Sequence, residues 1–168
     1  SHQRLRIVPL AGGPSRTPLF PEDTGEAWVE PVPGFRGAVA RVGYTPLLTP
    51  LTYYDCTLRD GRLRLVQQEF VPGYDRRRYE TWRGWAPARD GARIPFTAVR
   101  RRDAGGGNRR PALIFAYGAY GTNIPPWFDQ ARLPLLDRGF LYVMAHIRGG
   151  SELGEEWHWR ACRDGRMV

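Results

Sequence analysis

Pro111-Ala112-Leu113-Ile114-Phe115-Ala116-Tyr117-Gly118-Ala119-Tyr120-Gly121 opens the part of the chain whose reading decides the fold. Ala112 to Ala116 is an unbroken apolar run, the pattern of a strand buried on both faces. A loop rich in Gly and Tyr follows from Tyr117 to Pro126. The spacing predicts a helix over 129–138 that stops at Gly139, with Pro134 either kinking it or marking its start. Phe140 to Ala145 is a second apolar strand, and Arg148-Gly149-Gly150 comes after it. Strand, loop, helix, strand is the opening of an α/β sheet.

Upstream the pattern changes to short alternating runs between Gly and Pro turns. Strands are predicted over 5–10, 27–30, 38–42, 51–58 and 63–68, and the last two flank Asp60-Gly61. Asp-Gly between two alternating runs marks a hairpin. A second hairpin is predicted from 79–87 and 94–99 around Asp90-Gly91, and residues 103–110 form an exposed loop. Short strands spaced in this way suit a sandwich or a propeller blade better than a βαβ unit.

The 42% hydrophobic and 12% aromatic content argues against a disordered chain. The net charge of +8 raises the question of nucleic acid, but all 25 basic residues are arginine and they scatter over strands and turns. No predicted helix carries an arginine stripe with interleaved aromatics, so the charge reads as a solvated surface. Cys56 and Cys162 have no spacing that suits a disulfide framework or a zinc site, which points to a reduced compartment. No apolar run reaches the ~18 residues of a membrane helix. The beginning, Ser1-His2-Gln3-Arg4, has neither Met nor a signal-peptide core and reads as the middle of something longer.

Phe115 to Gly121 resembles the Tyr-Gly-x-Tyr-Gly loop of the prolyl oligopeptidase family. Leu135-Leu136-Asp137-Arg138-Gly139-Phe140, Ala145 to Gly150, Glu152-Leu153-Gly154 and Trp157 resemble the stretch that follows it there, in the same order. The Leu-Leu-Asp-Arg-Gly-Phe form is similar to the oligopeptidase B branch. Gly43-Tyr44-Thr45-Pro46, Thr49-Pro50 and Val71-Pro72-Gly73-Tyr74 resemble that branch's exit from its propeller, and Ala88 to Gly91 its entry into the hydrolase domain. The resemblance implies a mixed β and α/β fold: residues 1–74 are the partial C-terminal end of a β-propeller, and 75–168 begin an α/β-hydrolase domain. It implies a cytoplasmic serine peptidase that cleaves oligopeptides after Arg or Lys by Ser-His-Asp acyl transfer. No cofactor, metal, nucleic acid or membrane partner is implied; the expected partners are the oligopeptide and the remainder of the peptidase chain.

By the same resemblance Tyr117 is a donor of the oxyanion hole. Tyr120 and Trp127 are candidate substrate contacts, with core packing the alternative for Tyr120. Gly118, Gly121, Arg148, Gly149, Gly150 and Glu152 are assigned to the loop scaffold. Gly118 and Gly121 are expected to supply positive φ or close approach, and Arg148 and Glu152 a buried pair or loop-anchoring bonds. The branch's acids for a second basic substrate residue are replaced here by Pro125 and Trp127, with Asp129 the nearest acid. His146 reads as a satisfied core histidine, Trp157 and Trp159 as packing residues, and Glu155 and Glu156 as a solvated face.

The triad is missing from these residues. Serine occurs only at Ser1, Ser15 and Ser151, and none lies in a Gly-x-Ser-x-Gly elbow. His2, His146 and His158 precede any possible elbow, and in this fold the triad base follows it. The chain by itself is therefore expected to be inactive, a truncated peptidase. The alternative is a β-rich binding module that kept the scaffold and lost the chemistry.

Overall fold

The computed structural model describes residues 5–22, 25–32, 37–103 and 110–163. Contacts group the chain into two units. One runs through Gly73 and includes Pro126–Phe128, and the other takes Tyr74–Pro125 and the residues from Asp129 onward. Each unit carries one four-stranded sheet.

In the first unit β1 (Glu26–Val29), β2 (Val39–Thr45), β3 (Thr52–Thr57) and β4 (Leu63–Gln68) form an antiparallel meander in sequence order. This is the form of a single propeller blade. Ala27, Val42, Tyr44 and Cys56 make its core, with Phe20 stacked on Tyr44 at 4.5 Å between ring centroids. Gly43 faces Trp28 across β1 and β2, and a Cβ there would lie 2.4 Å from the indole. The strand expected over 5–10 is reduced to an isolated bridge between Ile7 and Arg16. Pro9 has no N–H to extend a ladder, and its carbonyl accepts from Gly12 in a turn.

In the second unit β5 (Tyr79–Pro87) and β6 (Arg93–Arg101) form the hairpin expected around Asp90-Gly91. β8 (Leu141–Ala145) pairs antiparallel with β6 and parallel with β7 (Ala112–Ala116), which gives the order β5-β6-β8-β7. The core of this sheet comprises Ala98, Val99, Tyr142 and Met144. β7 was expected to be buried on both faces; instead all five of its residues are exposed, Ile114 by 67%. It is the edge strand of this sheet, with β8 as its single strand neighbour among the described residues.

The helix predicted over 129–138 is a 3-10 turn, Gln130–Arg132, followed by the short α1 (Leu133–Asp137). Pro134 stands in the first turn of α1, where its missing N–H costs nothing, so it marks a start and not a kink. α2 (Glu155–Arg163) follows the Gly-rich stretch, with Glu155 and Glu156 exposed and Trp157 buried. Trp159 was expected to pack but is 47% exposed on the outer face of α2. Both cysteines are free. No helix of the described residues is long and apolar enough to cross a membrane. The loop predicted over 103–110 lies outside the described residues apart from its ends.

Four of the arginines around β5 and β6 are matched by carboxylates. Arg100 and Arg102 both pair with Glu80, Arg77 pairs with Asp75, and Arg101 bridges Asp103 and Asp137. Tyr79, 3% exposed, also donates its hydroxyl to Asp137 at 2.7 Å. Burial, and then Asp137, push the Tyr79 hydroxyl from its ordinary 10 up to about 12. The folded chain holds this proton more tightly than the unfolded chain does. Its contribution to stability is therefore full below about pH 10 and is lost as the pH rises toward 12. Tyr79→Phe is expected to flatten that decline in denaturant midpoints measured from pH 9 to 12. The hydrogen bond it removes costs about 1 kcal/mol at neutral pH. An unchanged alkaline slope would reject this assignment.

Candidate functional site

Tyr117 follows β7 directly and so stands at the carboxyl end of two parallel strands. In α/β sheets ligands bind beyond these ends. Its ring is 48% exposed. Among the described residues no side chain or backbone group holds its hydroxyl, so its position depends on the loop that carries it.

That loop turns sharply. Thr122 N donates to Ala119 O at 3.0 Å, and the two residues inside the turn, Tyr120 and Gly121, have φ of 57° and 65°. Two positive φ values make a type I′ turn, which ordinarily takes Gly, Asn or Asp. Tyr120 is the one non-Gly residue with positive φ among those described, and it is 82% exposed. Among the described residues Tyr120 is not packed into a core. Holding an aromatic residue in this conformation costs on the order of 1–3 kcal/mol and presents its ring to solvent.

A second loop, 146–152, locks the first in place. Gly121 N donates to Gly149 O at 2.8 Å, and His158 Nδ1–H donates to the same carbonyl at 2.9 Å. Ser151 N donates to Asn123 Oδ1 at 3.1 Å, and Ile124 N to Glu152 Oε1 at 3.1 Å. The glycines are required by contact as well as by φ. A Cβ on Gly118 would lie 2.5 Å from Ile147 Cγ1, and one on Gly149 would lie 2.0 Å from Gly118 O.

Arg148 and Glu152 do not pair with each other. Arg148 is ion-paired with Asp90 in the turn between β5 and β6. Glu152, 8% exposed, stands 3.8 Å from His146 Nδ1. Each thus bonds to a different part of the second unit, Arg148 to the β5–β6 turn and Glu152 to the Ile124 amide. His146 is only partly satisfied. Its Nε2 lies 3.0 Å from Thr97 Oγ1, while Nδ1 has no hydrogen-bond partner within the described residues and faces the carboxylate at longer range. Burial raises the Glu152 carboxyl, but His146 and the Ile124 amide outweigh it, so the net displacement is downward.

Trp127 is half-buried and belongs to the first unit with Pro126 and Phe128, whose amide donates to Thr45 Oγ1 at 3.2 Å. Asp129 is taken up by structure. It caps the 3-10 turn by accepting from Ala131 N at 2.9 Å, and it lies 3.7 Å from Arg132.

Sequence reasoning missed Asp90, Asn123, Thr97 and His158 as partners of the two loops. Asp90 read only as a turn residue, and nothing in its spacing points to Arg148, 58 positions on. Glycines on both loops, needing both φ and space, were the one available sign of interlocking.

Residues 126–165 match the model of the prolyl oligopeptidase family. The chain is 46% identical over 119 residues to dipeptidyl aminopeptidase BI of Pseudoxanthomonas mexicana, which covers 70% of this chain and 16% of that protein. It is 39% identical over 127 residues to protease 2 of Moraxella lacunata, covering 75% of this chain and 18% of that one. In structure it superposes on oligopeptidase B from Trypanosoma brucei, in a closed form with covalently bound antipain, with a TM-score of 0.80 at 29% identity. That match covers 94% of this chain and 24% of the other. The chain thus spans less than a fifth of the length of these two curated relatives. In sequence and in fold, this chain belongs to the prolyl oligopeptidase family.

Proposed function

We propose that this segment supplies the oxyanion-binding loop of a serine oligopeptidase, with Tyr117 donating its hydroxyl to the negative charge that develops on the scissile carbonyl. The observation that carries this is the placement of Tyr117: exposed, at the carboxyl end of a parallel strand, on a loop clamped by a second loop. A fixed phenol aimed at a developing oxyanion contributes about 3 kcal/mol to the transition state. Tyr120, on the same loop, is a substrate contact in this reading. The nucleophile, acid and base of the triad are not among these 168 residues, so the chain assayed alone is inert.

The substrate class follows from the oligopeptidase B likeness: oligopeptides cleaved after Arg or Lys, in the cytoplasm. Asp129 is held in its cap, which argues against its serving a second basic substrate residue. The carboxylate pairing of Arg100, Arg101 and Arg102 supports the reading of a solvated surface over a nucleic-acid face.

The test joins this segment to the triad-bearing remainder of a family member and compares it with the 168-residue chain on arginyl, lysyl and neutral peptide amides. The joined protein should cleave after Arg and Lys and lose activity to a serine-directed inhibitor, while the chain alone should do nothing. Inhibitor-sensitive hydrolysis by the chain alone would overturn its inactivity, and a neutral preference would overturn the substrate class. Saturable peptide binding without turnover in the joined protein would favour the binding module instead.

A further inference from the structure

We infer that His146 and Glu152, backed by Thr97, form a buried polar couple that holds the Tyr117–Ile124 loop in register with the sheet, which makes both positioning residues for the reaction. The inference rests on Tyr117 being the oxyanion donor. An oxyanion donor works only within a few tenths of an ångström of its place, and a shift of about 1 Å can cost on the order of 10²-fold in rate.

The couple forms a continuous path from strand to loop. Thr97 sits in β6 and is 2% exposed. Its Oγ1 meets His146 Nε2 at 3.0 Å. His146 is fixed further through its backbone, its N–H donating to Pro95 O at 2.9 Å and its carbonyl accepting from Trp157 Nε1 at 3.1 Å. The other side of its ring faces Glu152 Oε1 at 3.8 Å, and that same oxygen accepts from Ile124 N at 3.1 Å. The imidazole thus bonds to the sheet on one side and, at 3.8 Å, faces the carboxylate that anchors the loop on the other.

Two features argue that this arrangement is selected for position. A carboxylate taken out of water costs several kcal/mol, and an apolar filling of the same volume is often as stable or more so. What an apolar filling lacks is direction, and Glu152 uses direction to fix one amide of the loop. The surroundings are also shaped to the carboxylate, since a Cβ on Gly150 would lie 2.2 Å from Glu152 Oε2.

In the joined peptidase, Glu152→Ala is expected to lower kcat about tenfold with KM within about twofold. Glu152→Gln, whose amide oxygen still accepts from Ile124, should recover at least half of that loss on a logarithmic scale. His146→Gln should lower kcat as well, and the double variant H146Q/E152Q should lose no more than the worse single one. If Glu152→Ala does not accumulate, the two Gln variants decide: losses that add, or none, overturn the couple. A kcat unchanged in these variants while Tyr117→Phe still fails overturns the positioning role and leaves the oxyanion reading intact. An active Tyr117→Phe overturns both.

Discussion

Replacing Tyr117 by Phe in the joined peptidase should lower kcat about 10²–10³-fold, with little change in KM. The ground-state carbonyl needs no strong donor, whereas the oxygen of the tetrahedral intermediate does. The lost hydroxyl is therefore felt in the transition state and not in binding. Stability should hardly change, because the ring is half exposed and the hydroxyl serves no structural bond among the described residues. The pairing of a large kinetic loss with an unchanged melting temperature separates chemistry from folding. Tyr120→Phe is the control: it keeps the turn and the aromatic face and should retain most of the activity. If both variants behave alike, the loop serves packing or binding, and some other group must meet the oxyanion.

The strands and hairpins of this chain were legible wherever a local signal forces them. Asp60-Gly61 and Asp90-Gly91 fix two turns, and the alternation on either side of them recurs as β3–β4 and β5–β6. The apolar runs around Leu113 and Val143 were equally clear as strands. What escaped was context. Leu113, Ile114 and Phe115 read as a doubly buried strand because apolar runs usually are, yet burial depends on what lies alongside, and among the described residues β8 is the single strand beside β7. Pro9 cut short a strand that alternation alone supported. Around the candidate site, Tyr117 was singled out through its motif, and the glycines around it through their conformational need. The positive φ of Tyr120 was hidden because nothing in a tyrosine announces a type I′ turn. Arg148 and Glu152 were read as either a buried pair or loop anchors, and their partners Asp90 and His146 are brought in by the sheet and leave no trace in local spacing.

The largest loss of stability is expected from Gly149→Ala, and a comparison with Gly91→Ala shows why. Both glycines have positive φ, 99° and 81°, so both variants incur the strain of an L-residue there, about 1–2 kcal/mol. At Gly91 nothing lies within 4 Å of the added methyl, and the cost stops there. At Gly149 the methyl would meet Gly118 O at 2.0 Å and Gly118 C at 2.6 Å, which are backbone atoms that no rotamer change can move aside. Gly118 has little room of its own, since a Cβ there would lie 2.5 Å from Ile147 Cγ1 and 2.6 Å from Arg148 O. The two loops must part, and with them go the Gly121 N–H and His158 bonds to Gly149 O. Overpacking adds about 1–3 kcal/mol, and each lost bond about 1 kcal/mol, so Gly149→Ala should exceed Gly91→Ala by about 2 kcal/mol or more. Denaturant midpoints of the two variants measure the difference directly. Equal midpoints would mean that the loops do not interlock at Gly149 and that the clamp on Tyr117 lies elsewhere. A large gap, with kcat in the joined peptidase falling in step, would tie the glycine contact to the placement of the donor.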